Sequence, residues 1–239
     1  MTMKIDAIAF DADDTLWHNE DHFAATEDAF ADLMEPWATH DEARAELLAM
    51  ETQNLELFGY GVKAFTLSMI EAAMMISRGA ISAADLGMLI ERGKDMLARP
   101  AELLPGITDV LDELSRSHRL LMITKGDLHH QERKVKGSGL AHFFEAVEVV
   151  SEKDISTYSD VIAKNGVDPA GFVMVGNSVK SDILPVLALG GVGVHIPYAF
   201  TWAHEHADST VHGENEPGSR LWRLDTVKEL PTLVRSLQS

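Results

Sequence analysis

Ile5-Asp6-Ala7-Ile8-Ala9-Phe10-Asp11-Ala12-Asp13-Asp14-Thr15-Leu16-Trp17 is the stretch on which the fold of this chain turns. A short apolar run stops abruptly on three carboxylates packed into four positions, and such a run is a plausible first, buried strand. The acids then stand at its C-terminal end, where open α/β sheets gather ligands and catalysis. Taken alone, the D-x-D-x-T spacing of Asp11, Asp13 and Thr15 admits two readings. One is a solvated turn that caps a helix at Asp13 or Asp14. The other is an acidic active-site loop in which one carboxylate attacks while its neighbour handles protons or metal.

The nearest sequence downstream does not continue the strand pattern. From about residue 19 to residue 99 helical periodicity dominates. Residues 40–58 offer Ala43, Leu47, Leu48 and Leu55; residues 62–77 offer Phe65, Met69, Ala73 and Ile76; Ser82 is placed to cap a third helix running towards Leu97. Successive amphipathic helices without strands between them predict an inserted bundle. Beyond Pro105 and Gly106, which introduce a helix marked by Ile107, Val110, Leu111 and Leu114, the rhythm alternates. Strands are expected at 119–124, 147–151, 171–175 and 192–196, with helices at 127–136, 157–165 and 181–189. After a loop at 213–218, a short strand beginning near Trp222 and a closing helix at 226–237 complete the pattern. This alternation predicts an α/β fold with a Rossmann-like, doubly wound parallel sheet. The first strand belongs with the later ones, which gives a core of 1–18 and 100–239 and a helical domain of 19–99.

Composition narrows the function classes. A length of 239 residues accommodates one to two domains. Hydrophobic residues at 46% and charged residues at 24% are ordinary for a globular chain, and no apolar run is long enough to span a bilayer. No membrane association is expected. A net charge of −18 argues against a nucleic-acid partner. The absence of cysteine excludes disulfides, thiolate metal sites and cysteine nucleophiles. Without the pattern of a signal peptide at the N-terminus, a cytoplasmic location is expected. An anionic ligand would need local devices against the overall field: a divalent cation, a lysine, or amides at helix starts.

Three other predicted strand ends supply such devices. One ends on Thr124, followed by Lys125, Gly126 and Asp127; the next is followed by Glu152, Lys153 and Asp154; the third runs into Gly176-Asn177-Ser178-Val179-Lys180-Ser181-Asp182. Each has a plain alternative, namely a strand-end turn at Thr124, a solvated charge at Lys153 and a helix cap at Asp182. Jointly they match what a Mg²⁺ site for phosphoryl transfer needs: carboxylates on the metal, a cation and donors on the phosphoryl oxygens, and a nucleophile.

These four segments, 10–17, 123–127, 152–154 and 176–182, resemble in order the four motifs of the haloacid dehalogenase (HAD) superfamily, and the helical insert resembles that family's C1 cap. The resemblance implies a HAD-like core and a Mg²⁺-dependent phosphatase acting on a small phosphorylated metabolite, with the cap excluding water and selecting substrate. It implies Asp11 as the nucleophile that forms an aspartyl-phosphate and Asp13 as general acid and then base. Thr124 would bind the phosphoryl group with Lys125 and Gly126, and Lys153 would neutralise charge on Asp11 and the phosphoryl group. Asp11, Asp182 and the backbone carbonyl of Asp13 would hold the metal. Asn177 stands where many members carry an acid, and an amide there can still bind a metal-bound water. Lys164 is a rival for the lysine role. The acid at position 13 favours phosphate esters over carbon–halogen bonds, because a halide leaves without a proton.

Other positions stay open between function and plain structure. Tyr60 and Lys63, in Gly59-Tyr60-Gly61-Val62-Lys63, are candidates to touch substrate, with a Schiff base at Lys63 as in phosphonate-cleaving relatives or a solvated helix-start lysine as the alternatives. Seven of the eleven methionines (Met34, Met50, Met69, Met74, Met75, Met88 and Met96) lie in the insert, as a mobile lid or as ordinary core filling. His204 and His206 suggest a metal pair or a polar loop. His129 and His130 sit near the predicted phosphate site or start a helix, and Trp17 and His18 are candidates to line the entrance. Dehalogenation, phosphonate cleavage, phosphomutase chemistry and a non-catalytic metal-binding role are the rival functions.

Overall fold

The computed structural model describes residues 3–199, 215 and 219–239. The described residues divide into two compact units: those within 1–18, 101–125 and 131–239 form an α/β unit, and 19–100 together with 126–130 form a helical unit.

The α/β unit is built on six parallel strands, β1 Ala7–Phe10, β2 Leu120–Lys125, β3 Ala146–Val150, β4 Phe172–Gly176, β5 Val192–His195 and β6 Leu221–Arg223, in the order β3-β2-β1-β4-β5-β6. β1 is central, with Ile8 opposite Leu120 on one side and Val173 on the other. Its side chains alternate between two cores, as the period of two requires. Ile8, Phe10, Met122, Val173, Val175 and Val194 pack on one face, with α5 Ile107–Ser115 and α9 Leu230–Leu237. Ala7, Ala9, Leu121, Ile123, Phe172 and Met174 pack on the other, with α7 Ile155–Lys164 and α8 Leu184–Ala188. Both faces are covered, which is why these strands read as nearly continuous apolar runs.

The helical unit contains α1 Glu20–Met34, α2 His40–Phe58, α3 Val62–Ile76 and α4 Ala83–Ala98 around Phe30, Met34, Leu47, Phe65, Met69, Leu89 and Met96. α1 escaped individual assignment from sequence; its cap residue, Asn19, makes no side-chain capping hydrogen bond. α2 begins with a capping box, in which Thr39 Oγ1 accepts from Glu42 N (3.3 Å) and Glu42 Oε2 accepts from Thr39 N (2.9 Å). Ser82 caps α4 by accepting from Asp85 N. α3 and α4 meet closely at Gly93, where a Cβ would lie 2.2 Å from Thr66 Oγ1. The methionines divide: Met34, Met69 and Met96 fill the core, while Met74, Met75 and Met88 are about half exposed. No helix among the described residues is long and apolar enough to cross a membrane.

Candidate active site

The acidic loop continues the sheet by one more bond, Asp11 N to Val175 O (2.9 Å), and then turns tightly. Leu16 N donates to Ala12 O and Asp14 N to Trp17 O, both 2.8 Å, with Asp14 in the left-handed region (φ +63°) that a short polar side chain tolerates. Asp14 therefore serves the turn's backbone. The turn brings Trp17 back over Asp13, and its Nε1 donates to Asp13 Oδ1 (2.5 Å). Trp17 is fully buried, so it braces the acidic loop from within instead of lining an entrance.

Lys153 follows β3 and precedes α7, whose cap is Asp154, accepting from Thr157 N (2.8 Å). The Lys153 side chain is only 3% exposed. Its Nζ donates to Asp11 Oδ1 and to Asp182 Oδ1, the latter at 2.7 Å. Lys164 is instead largely exposed and pairs with Glu148 (2.7 Å). Asp182 lies inside a π-turn, Val179–Ile183, a geometry frequent at functional sites. The cap of that turn is Ser178, not Asp182: Ser178 Oγ accepts from Ser181 N, and Ser178 N donates to Asp182 Oδ2 (3.0 Å). Gly176 is required beneath it, since a Cβ there would lie 2.2 Å from Asp182 Oδ2.

One end of the Asn177 amide lies 3.3 Å from Asp11 Oδ2, Asp13 O and Thr15 Oγ1; turned so that its nitrogen faces them, it donates to all three. Three oxygens from the first motif, one of them on the buried Asp11 carboxylate, thus converge on one point. That hard-oxygen donor set suits Mg²⁺. Burial pushes the Asp11 carboxyl up to about 7, although Lys153 pulls the other way. Burial opposes the Lys153 charge, yet Asp11 and Asp182 hold its pKa well above the usual lysine value. Asp13 is opposed by burial too, but Lys134, Gln131 and Trp17 keep its carboxyl below the ordinary range.

At the end of β2, Thr124 is fully buried and its Oγ1 has no hydrogen-bond partner. A buried hydroxyl without a partner demands an explanation, and a ligand oxygen is one. Lys125 Nζ lies 3.4 Å from Glu152 Oε1, which also accepts from Lys153 N (2.8 Å).

Two residues not read from sequence belong here. Gln131 and Lys134, on α6 Leu128–Ser138, both reach Asp13: Gln131 Nε2 donates to Oδ2 (2.8 Å), and Lys134 Nζ pairs with Oδ1. A polar pair three positions apart on a helix leading into Val135 and Leu140 was the available signal.

Gly126, Tyr60 and Lys63 fall in the helical unit. There Lys63 Nζ donates to both oxygens of Asp127 (3.0 and 2.9 Å), and Asp127 also caps α6 by accepting from His130 N (2.9 Å). A lysine committed to a carboxylate as an ion pair is poorly suited to imine formation, which needs the free amine. His130 is buried in this helix start, and His129 is not. His18 Nδ1 lies 2.5 Å from Tyr198 Oη. His204 and His206 lie outside the described residues.

A solved haloacid dehalogenase-like family hydrolase from Xanthomonas campestris shares 38% of its sequence with this chain, covers 99% of it and 93% of its own length, and superposes with a TM-score of 0.87. The pyrimidine 5'-nucleotidase YjjG of Escherichia coli (strain K12) is 25% identical over 97% of this chain and 99% of its own. The glyceraldehyde 3-phosphate phosphatase of Methanothermobacter thermautotrophicus is 29% identical over 74% of this chain and 79% of its own. The model of the haloacid dehalogenase-like hydrolases matches residues 5–190, and the chain belongs to that family of hydrolases.

Proposed function

We propose that the protein is a Mg²⁺-dependent phosphatase that hydrolyses a small phosphomonoester through an aspartyl-phosphate on Asp11. The observation that carries this reading is the buried cluster in which one ammonium, Lys153, bridges Asp11 and Asp182. The relatives named as a nucleotidase and a phosphatase support the phosphoric monoester as the bond cleaved.

In this mechanism a carboxylate oxygen of Asp11 attacks phosphorus, and the alkoxide leaving group departs with a proton from the Asp13 carboxyl. Thr124 Oγ1 donates to a phosphoryl oxygen and so gains the partner it lacks. Lys153 neutralises charge on Asp11 and on the phosphoryl group. Asp13, now a carboxylate, takes a proton from the water that attacks the aspartyl-phosphate, releasing phosphate and restoring Asp11. The resting structure holds Asp13 as the anion this second half needs, so Asp13 enters the first half only after taking up a proton as substrate binds, a proton it regains from the attacking water. Asp11, Asp182 and the Asp13 carbonyl, with Asn177 acting through a metal-bound water, would hold Mg²⁺, which when bound supplies positive charge against the phosphoryl oxygens.

Asp13 also separates this reading from dehalogenation, which needs no proton donor for its leaving group. The test is a panel of phosphomonoesters assayed with Mg²⁺ or EDTA, in wild type and Asp11→Asn, with phosphate and halide release both followed. Phosphate release that requires Mg²⁺ and Asp11 is expected. Turnover surviving in Asp11→Asn or under chelation, or halide release without phosphate release, refutes the proposal.

A further inference from the structure

We propose that Lys134 is a positioning residue that, with Trp17 and Gln131, fixes the orientation of the Asp13 carboxylate for proton transfer. The inference rests on the phosphatase reading above.

Both oxygens of Asp13 are engaged. Oδ1 accepts from Trp17 Nε1 (2.5 Å) and pairs with Lys134 Nζ, while Oδ2 accepts from Gln131 Nε2 (2.8 Å). Donors on both oxygens fix the plane of the carboxylate as well as its position. The same Gln131 nitrogen donates to Lys125 O (3.0 Å), which ties that plane to the end of β2. Gln131 presents its nitrogen to Asp13 and the Lys125 carbonyl even though its own Oε1 is left buried without a hydrogen-bond partner. The Lys134 side chain is 8% exposed, and its ammonium stands 5.9 Å from the centre of the Trp17 ring. Burying an ammonium is costly unless an anion and further contacts offset it. Asp13 is that anion, and the indole adds a cation–π contact.

Proton transfer depends steeply on distance and alignment, so a carboxylate free to rotate loses rate without losing its chemistry. The effect is selective. Cleaving an alkyl phosphate releases a basic alkoxide that needs the Asp13 proton, whereas p-nitrophenolate leaves well without one. The ratio kcat/KM reports the steps up to phosphoryl transfer and excludes the later hydrolysis of the aspartyl-phosphate, which is common to both substrates.

The experiment compares kcat/KM for an alkyl phosphate that wild type accepts and for p-nitrophenyl phosphate, in wild type, Lys134→Met, Lys134→Arg and Trp17→Phe, with thermal unfolding of each. Lys134→Met, with each variant assayed at its own pH optimum because loss of the cation also raises the Asp13 carboxyl, is expected to lower kcat/KM for the alkyl ester by about 100-fold, a typical general-acid contribution, and that for p-nitrophenyl phosphate far less. Lys134→Arg recovers part of the loss. Trp17→Phe keeps the ring, removes the Nε1 donor and shows the same bias, which keeps the test decisive if Lys134→Met fails to fold. Equal losses on both esters, or no loss on either, overturn the role of Lys134 and leave the phosphatase reading standing. A wild-type protein that cleaves neither class overturns the phosphatase reading and this role with it.

Discussion

Replacing Lys153 by Met removes the one ammonium that bridges Asp11 and Asp182 while keeping a side chain of similar length. Those carboxylates are 9% and 1% exposed, so water cannot take over the lost interaction. Removing one partner of a buried ion pair costs about 3–5 kcal/mol. For a chain of this size each kcal/mol moves the melting temperature by about 2–4 °C, so a fall of about 6–20 °C is expected in EDTA at pH 8. Two conditions should relieve it. Lower pH lets Asp11, already raised by burial, take a proton and shed its charge. On the proposed function Mg²⁺ would supply a cation to the same oxygens, and at a hundred times its dissociation constant any site stabilises by about 2.7 kcal/mol. Without a competing ammonium, the variant should gain more from Mg²⁺ than wild type does. Calorimetry or urea unfolding, with and without metal and from pH 6 to 8, measures all three effects. A Lys153→Met protein as stable in EDTA as wild type would refute the reasoning, because two buried carboxylates would then be tolerated without a cation.

Two further outcomes can be read from equilibrium unfolding. The raised Asp11 carboxyl favours the folded protein when protonated, so its contribution is full below about 3.8 and is lost as pH rises to about 7; Asp11→Asn lacks that group, and in EDTA its stability relative to wild type should climb across the window and level off above it. A flat difference would contradict the assigned direction. In the helical unit, Gly93→Ala improves helix propensity by about 1 kcal/mol but drives a Cβ into Thr66, 2.2 Å from Oγ1 and 3.1 Å from its Cβ. A net loss of about 1–2 kcal/mol is expected from overpacking, and it should shrink in a Thr66→Ala background; a stabilised single variant would show that α3 and α4 give way.

The sheet was legible because its strands are buried on both faces, so β1, β2 and β4 announce themselves as unbroken apolar runs. Helix α2 was legible through the mostly helical spacing of Ala43, Leu47, Leu48 and Leu55, and α4 through Ser82, whose side chain caps it. α1 carried no such mark. Asp11, Thr124, Lys153 and Asp182 could be read because local chain order places each at the end of a strand or in the segment that follows one. Gln131 and Lys134 were missed for the converse reason: they sit within a helix, where lysine and glutamine are ordinary surface residues, and only the docking of α6 brings them to an acid 118 and 121 positions earlier. The inclusion of 126–130 in the helical unit was equally hidden, since no boundary in the pattern marks it; in that unit Asp127 pairs with Lys63.

The central place of β1 also bears on how the chain is made. Ala7–Phe10 leaves the ribosome first among the strands, and its neighbours in the sheet, β2 and β4, begin only at Leu120 and Phe172. This fully buried strand therefore waits, unpaired, while the whole four-helix insert is synthesised. Those helices rest on contacts close in sequence and can condense meanwhile, whereas parallel pairing forms slowly across long loops. The buried cluster of Asp11, Lys153 and Asp182 cannot assemble before Asp182 has emerged, and until then the segment that leads into Asp11 is an exposed apolar edge in need of protection from other chains.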